Sequence, residues 1–492
     1  MTKTAAVICK HLSYCYEGES RLSLTDVNLH IESGQWTALI GASGSGKSTL
    51  CQLLNGYLPR SGGGVREGSL QVFGMDPAEA PLPEITMAAG VLFQDPDAQL
   101  VRGIVDDEVA FGPENMCVPP AELQRRITWA LEVAGLAGLR SEPVRRLSGG
   151  QRQRTAMAAV LALQPRLFVF DDACASLDAA AQADFLQLCA TLQGDGRTVV
   201  TASGRFDDAA RAAGRVIVLD GGRVLLDGPP AELLRRCRGQ LAELGLLPRP
   251  AGEAAAAVPP GPALVMVKSL DFTYPGGRRA LEGAAFALRR GEWALLTGEN
   301  GSGKTTLSRL LMGLLPAPKG AIWHQGRDIA GLPVHKIAGH FGYVFQQPEH
   351  MFTSQTVWEE LIYGLHGGLP PARRPELTED QRLRARQLLE TAGLDARLED
   401  SPYLLSRGER RLLGIISQLI VPKELYIMDE PTAGMDYRDI DRIISLCRDA
   451  CRRGSALLMI THDPGILSPE ASLHLHLEDG RLTSLPRQHA CD

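Results

Sequence analysis

Long apolar runs are missing from this 492-residue chain. No stretch approaches the ~20 consecutive apolar residues that a membrane-spanning helix needs. The N-terminal MTKTAAVICKHLSY has no apolar run of signal-peptide length either, so any membrane role is expected to come through a partner. An excess of positive charge is also absent: 51 Lys and Arg against 57 Asp and Glu leave a formal net charge of −6. A nucleic-acid binder would carry a strongly basic domain, so no nucleic-acid partner is expected. The ten cysteines are scattered singly, without CxxC pairs or metal-ligand spacing. That excludes a zinc or disulfide framework and points to reduced cytosolic thiols. Cys447 and Cys451 lie one helical turn apart, but no His or Cys pair accompanies them. What is left is a globular composition, 44% hydrophobic and 22% charged, and a length for about two to four domains.

The chain repeats itself. GASGSGKST (41–49) recurs as GENGSGKTT (298–306), LSGGQ (147–151) as LSRGE (405–409), and FVFDDACASLD (168–178) as YIMDEPTAGMD (426–436). SYCYEG likewise aligns with DFTYPG, setting Tyr16 against Tyr274. A spacing near 258 residues is far too long for a solenoid and marks a duplicated domain. The expected layout is a first domain over 1–245, an Ala/Pro-rich linker over 246–262 with no hydrophobic periodicity, and a second domain over 263–492. Within each unit, apolar runs such as WTALI and LFVFD read as buried parallel strands. They alternate with helical patterns such as AELQRRITWALEVAGL, which argues an α/β fold. At the end of the chain HLHLEDGRL reads as a last strand pair, and surface positions are the plainer reading of His324 and His350.

Both repeats carry GxxxxGK[ST] after an apolar strand and at the start of a helix, the context that a phosphate loop requires. Its glycines let backbone N–H groups turn inward around phosphates at the positive end of the helix. The candidate phosphate-binding residues are Gly41, Ser43, Gly44, Gly46, Lys47, Ser48 and Thr49 in the first loop. Gly298, Asn300, Gly301, Gly303, Lys304, Thr305 and Thr306 are their counterparts in the second. The lysines reach the β/γ-phosphates, and the hydroxyls of Ser48 and Thr305 ligate Mg²⁺. Asp171 and Asp429, at strand ends, stand where Mg²⁺ is held, and the next acidic residue, Asp172 or Glu430, is placed to orient an attacking water.

With LSGGQ between phosphate loop and acidic strand, the chain resembles the nucleotide-binding domains of ABC transporters, twice and over essentially its whole length. The resemblance implies two tandem P-loop NTPase domains, each a mainly parallel sheet with an antiparallel β subdomain and a helical subdomain. It further implies ATP and Mg²⁺ as ligands. Tyr16 and Tyr274 match the aromatic that stacks on adenine, and Gln94 and Gln346 the glutamine loop that contacts Mg²⁺ and faces the membrane subunit. Asp178 and Asp436 match a loop that crosses between halves, and His462 of ITHD the switch histidine. In this family each ATP lies between the phosphate loop of one domain and the signature of the other. Site one is then expected to use Lys47, Ser48, Asp171 and Asp172 with Ser406, Gly408 and the rest of LSRGE. Site two is expected to use Lys304, Thr305, Asp429, Glu430, Gln346 and His462 with Ser148, Gly149, Gly150 and Gln151. No homodimer is needed, because one chain holds both halves.

Departures from the family pattern gather on site one. Asp172 stands for the catalytic glutamate, Arg407 and Glu409 replace a glycine and the glutamine of the signature, and in TVVTASG (198–204), the counterpart of LLMITHD, Ala202 is expected to stand where the switch histidine belongs. Site two is therefore expected to hydrolyse ATP and site one to bind it. VLFQDPDAQLVRGIVDDEVAFGPENM (91–116) resembles the glutamine-loop region of energy-coupling factor (ECF) and cobalt-type importer ATPases. That implies a peripheral subunit at the cytoplasmic face of the inner membrane, working with an integral scaffold and a substrate-binding membrane protein. The solute would be a vitamin, a vitamin precursor or a transition-metal ion. Asp95, Asp97, Asp106, Asp107 and Glu108 are the expected acidic contacts to the scaffold. The other readings are a fused sugar-importer ATPase, which the 91–116 segment opposes, and a soluble tandem ATPase of ribosomes or nucleic acid. A short uncharged linker opposes the latter.

Overall fold

The computed structural model describes residues 5–19, 21–174, 177–248, 262–346, 351–367, 369 and 373–485. The chain divides into two compact units, Met1–Arg249 and Pro250–Asp492. Most of the expected linker, 249–261, lies outside the described residues, as does His350. The linker's first residues, however, belong to the first unit. Leu246 and Leu247 are buried, and the Leu246 carbonyl accepts from the Phe206 N–H at 2.8 Å. Their apolar side chains gain more from burial than a mobile segment would give them.

The strands of the first unit are β1 (Ala5–Cys15), β2 (Leu22–Glu32), β3 (Trp36–Ile40), β4 (Val65–Val72), β5 (Ala89–Leu92), β6 (Leu167–Asp171), β7 (Thr198–Ser203), β8 (Arg215–Asp220) and β9 (Arg223–Gly228). One sheet runs β5-β6-β7-β3-β8-β9, parallel except for the last pair, and a second, antiparallel sheet runs β2-β1-β4. Every residue of WTALI and LFVFD is buried, as befits central parallel strands covered on both faces. The helix Pro120–Val133 arises from the pattern singled out above: Ile127, Ala130 and Leu131 fall on one face and are buried. It stops before Gly135, whose φ of 65° suits glycine.

The second unit repeats this plan with β10 (Ala263–Thr273), β11 (Arg279–Arg289), β12 (Trp293–Thr297), β13 (Ile322–His324), β14 (Arg327–Asp328), β15 (Phe341–Val344), β16 (Leu425–Asp429), β17 (Ala456–Ile460), β18 (Leu473–Glu478) and β19 (Arg481–Leu485). Its sheets run β15-β16-β17-β12-β18-β19 and β11-β10-β13-β14. The terminal HLHLEDGRL forms the antiparallel pair β18–β19, turning at Asp479 and Gly480, both with positive φ. In both units the phosphate-loop strand sits mid-sheet, so the loop and the acidic strand tips emerge at one edge.

Phe170 ties the first sheet to its helical layer: it is fully buried and meets Phe185 edge-on at 5.1 Å. Phe170→Ala is expected to destabilise the first unit by about 3–5 kcal/mol in urea unfolding. A loss below about 1 kcal/mol would show that the ring is not part of a close-packed core.

Candidate nucleotide-binding sites

Each phosphate loop closes on itself in the same way. Gly46 and Gly303 have φ of 97° and 113°, and a Cβ there would lie 2.6 Å from the Ser23 carbonyl and 2.4 Å from the Ala280 carbonyl. Only glycine therefore allows the loop to pass this close to the antiparallel sheet. Lys47 and Lys304 are buried and curl back over their loops. Lys47 Nζ donates to the Gly41 and Ala42 carbonyls at 2.7 and 2.9 Å, and Lys304 Nζ to Gly298 and Glu299 at 2.8 Å each. An ammonium held by carbonyls can exchange them for phosphate oxygens without leaving the cradle. Tyr16 and Tyr274 are brought to the same place: each hydroxyl lies 3.0 Å from the Thr49 or Thr306 hydroxyl at the start of the loop helix. Ser43, Gly44, Asn300 and Gly301 form the exposed crest of the loops, with Ser48 half-buried and Thr305 exposed behind them.

The acidic strand tips share a backbone and differ in side-chain setting. Asp172 and Glu430 both adopt left-handed φ, 55° and 49°, and each N–H donates at 3.0 Å to the neighbouring strand, to the Ala202 and Ile460 carbonyls. In the second unit Glu430 is buried, and Oε1 lies 3.3 Å from His462 Nε2 without accepting a well-aligned hydrogen bond. Burial, reinforced by the charge of Asp429, pushes its carboxyl up to about 8. Asp429 is raised too, chiefly by burial, and the Tyr343 hydroxyl and the Thr305 side chain oppose that shift. In the first unit Asp172 is only half-buried, and its Oδ2 accepts from Gln94 Nε2 at 2.5 Å. One carboxylate is thus tied to the glutamine loop, while the other is backed by an imidazole and keeps one oxygen available. Gln346 makes no matching contact among the described residues: its side chain is exposed and its carbonyl accepts from Arg411 at 2.8 Å.

Sheet register corrects one assignment. Val199 pairs with Trp36 as Leu457 pairs with Trp293, so Ala202 corresponds to Ile460 and Gly204 to His462. The buried strand residue Ala202 therefore never faced the switch position; Gly204 occupies it, again without an imidazole. The expected acidic face of residues 95–108 also changes. Asp97 pairs with Arg152, Asp106 pairs with Arg140 at 2.9 Å, and buried Glu108 accepts from the Val101 N–H at 2.9 Å. Asp95 and Asp107 remain exposed, as do Val101 and Ile104.

The signature segments open helices. Ser148 caps Gly149–Leu163 and Ser406 caps Arg407–Leu419, each in a reciprocal capping box with Gln151 or Glu409. Glu409 therefore preserves the cap that glutamine makes, and its charge meets Arg397 at 3.3 Å. Gly150 is half-buried and Gly408 buried in the first turns, where their backbone N–H groups start the helices. Asp178 and Asp436 cap the helices after the acidic strands, accepting from the N–H of Ala181 and Asp439 at 3.0 Å each. Such caps contribute about 1 kcal/mol each.

Three supporting residues in the second unit escaped the motif reading. The Tyr343 hydroxyl lies 3.3 Å from Asp429 Oδ2 and 3.1 Å from the Ser308 hydroxyl. Buried Arg411 donates to the carbonyls of Glu430, Ala433 and Gln346, bracing the catalytic turn from behind. The first unit has Val91 at the place of Tyr343 by strand register, and Cys51 and Gln153 at the other two by the aligned loop and signature motifs; Gln153 donates to the Ala173 carbonyl at 2.6 Å. Comparing the repeats outside their motifs would have exposed these pairs.

The sequence is similar to those of known proteins. The profile of the ABC transporter family matches residues 24–175 and again 281–433. A putative ABC transporter ATP-binding protein of Methanosarcina acetivorans is 31% identical over 522 residues, covering 96% of this chain and 84% of its own. The putative HMP/thiamine import ATP-binding protein YkoD of Bacillus subtilis is 31% identical over 499 residues, covering 96% of this chain and 89% of its own. Among solved structures, cbiO1 from Clostridium perfringens, described as part of the ABC transporter complex cbiONQ, aligns with a TM-score of 0.43 and 30% identity over 49% of this chain and 96% of that one.

Arg411→Met keeps the length of the side chain and removes its donors. Stranding the buried Glu430 and Ala433 carbonyls is expected to lower the stability of the second unit by at least about 2 kcal/mol in urea unfolding. Gln153→Met is expected to cost about 1 kcal/mol in the first. Equal losses would mean that the arginine braces nothing.

Proposed function

Because the chain belongs to the ABC transporter family and carries its ATPase domain twice, we propose that it is the ATP-hydrolysing subunit of an ECF-type importer of a micronutrient, with one working site and one binding site. Members of the family hydrolyse ATP in step with transport and act with membrane subunits. No described helix of this chain is long and apolar enough to cross a membrane. The import reading is supported by the 91–116 segment and by the import function in the name of YkoD. On this reading the scaffold would meet exposed Val101 and Ile104, flanked by Asp95 and Asp107. The solute would be a vitamin, a vitamin precursor or a transition-metal ion, chosen by a separate membrane protein.

The observation that carries the two-site reading is the contrast between Glu430 and Asp172. In site two Glu430 takes the proton of the attacking water and His462 holds that water and the γ-phosphate. Lys304 meets the developing phosphate charge, while Gln346 completes the surroundings of the reacting group. Ser148 and Ser406, with the first amides of their helices, supply further donors to phosphates. Tyr16 and Tyr274 offer ring faces to adenine. The strand-tip carboxylates fit a magnesium ion: Asp429 is a buried hard-oxygen donor in contact with the Thr305 hydroxyl. When bound, Mg²⁺ neutralises charge on the β- and γ-phosphates, held by Thr305, Asp429 and Gln346 in site two and by Ser48, Asp171 and Gln94 in site one. In site one Lys47 and the glycine cradle are intact, so nucleotide binds. Asp172, held by Gln94 and lacking an imidazole neighbour, does not reach the water. A displacement of about 1 Å in a catalytic group costs ~100-fold in rate.

Glu430→Gln is expected to cut steady-state ATP turnover by about 100-fold or more, and Asp172→Asn by no more than about twofold. Turnover near wild type in the Glu430 variant would sink the reading. The base works deprotonated, and burial holds Glu430 protonated up to about 8. The wild-type kcat/KM is therefore expected to rise with pH and to level off above about 8, because this profile reports the free enzyme; a flat profile through that range would remove Glu430 as the base. Affinity purification from detergent-solubilised membranes is expected to recover an integral scaffold and a small substrate-binding membrane protein. Recovery with ribosomes would leave the ATPase and overturn import.

A further inference from the structure

His324, His340 and Glu424 come together in the second unit from three separate segments. His324 ends β13 in the antiparallel sheet, His340 precedes β15, and Glu424 precedes β16 in the main sheet. His324 Nε2 lies 3.3 Å from Glu424 Oε2, His340 Nδ1 lies 3.0 Å from Oε1, and the three ligand atoms fall within 4.8 Å of one another. Donors bonded to one tetrahedral zinc at about 2.0 Å stand about 3.3 Å apart, so little adjustment separates this cluster from a ligand set. Glu424 is already oriented from outside: Arg290 Nη2 donates to Oε2 at 2.8 Å and Gln325 Nε2 donates to the same oxygen. Outer hydrogen bonds of this kind fix a ligating carboxylate. His324 is buried edge-on against Phe341 at 5.1 Å, and burial holds its ring toward the neutral form that ligation needs. His340 is exposed and leaves a path for an ion and a coordinated water.

The fold does not demand this cluster. At the same node of the first unit the strand registers place Val72, Ala88 and Arg166 where the second has His324, His340 and Glu424. There Arg166 packs over the Phe73 ring at 3.7 Å, and Phe73 occupies the place of Gln325, each N–H donating to its neighbouring strand. A cation–π contact joins the two sheets in one unit, and two imidazoles and a carboxylate join them in the other.

We propose that His324, His340 and Glu424 form a site for a divalent transition-metal ion of the zinc type, separate from the nucleotide sites, that ties the antiparallel sheet of the second unit to its main sheet. Two imidazoles and one carboxylate suit Zn²⁺ and reject Mg²⁺ or Ca²⁺, which prefer all-oxygen shells. The guanidinium of Arg290 beside Glu424 lowers the affinity below that of a closed structural site.

Zn²⁺ titrated into the metal-stripped full chain is expected to bind one ion at this site and to raise the unfolding temperature of the second unit. Co²⁺ used as a probe is expected to give visible d–d bands without a thiolate charge-transfer band. His340→Ala, at an exposed position, and Glu424→Gln, which keeps the outer shell, are each expected to weaken binding by at least about tenfold. Absence of Zn²⁺ binding to the wild type, binding unchanged in both variants, or a thiolate band would each overturn the proposal.

Discussion

Both candidate sites depend on a single left-handed residue placed directly after a buried strand. At Asp172 and Glu430 the chain turns with φ of 55° and 49°, a conformation that costs a non-glycine residue about 1–2 kcal/mol. The hydrogen bond from each N–H to the adjacent strand holds the turn in place. As a result the preceding aspartate stays at the strand tip beside the phosphate loop, and the next carboxylate swings out over it. With the backbone this closely matched, side-chain length and the residue at the neighbouring strand's end, Gly204 or His462, together decide what that carboxylate meets. The aspartate meets an amide of the glutamine loop, and the glutamate meets an imidazole.

The asymmetry extends behind the reacting groups. The second unit supports its acidic turn with Arg411 and its strand-tip aspartate with Tyr343 and Ser308, all in buried surroundings. The first unit fills the same positions with Gln153, Val91 and Cys51, and the Cys51 thiol is pushed far up by burial. Restoring glutamate at 172 alone would supply neither an imidazole at Gly204 nor a braced turn. The difference between the units is therefore spread over their interiors, while both phosphate loops share the left-handed glycine and the buried lysine.

Local pattern carried a large part of this structure and long-range pairing the rest. The duplication, the fold class and the loop motifs were all legible, because glycine spacing and fully apolar strands are properties of short segments. WTALI and LFVFD could only be central strands once a phosphate loop was recognised between them. The acidic run at 95–108 was legible only in part for the opposite reason: which of its carboxylates are paired depends on Arg152 and Arg140, 55 and 34 residues from Asp97 and Asp106. The switch position slipped from Gly204 to Ala202 because neither TVVTASG nor LLMITHD marks its own register; hydrogen bonds to the neighbouring strand do. His324 read as a surface residue for want of any nearby partner, yet Glu424, 100 residues on, stands 3.3 Å from it. That the first unit runs on past 245 was visible in principle, since Leu246 and Leu247 are two adjacent apolar residues before a proline-rich stretch.

Covalent duplication is what allows such divergence to persist. In an assembly of identical chains, every substitution at the acidic turn would fall on both sites, and a change that silenced one would silence the other. Two repeats in one chain separate the fates of the two turns. One can then be selected for the barrier it lowers and the other only for the nucleotide it holds. Binding and hydrolysis draw on different atoms in phosphate-loop ATPases: loop amides and a lysine hold phosphates, and a separate residue addresses the water. A site of this kind can therefore lose the second set without weakening the first, and the first unit has the buried lysine together with Asp172 and Gly204 where the second has Glu430 and His462.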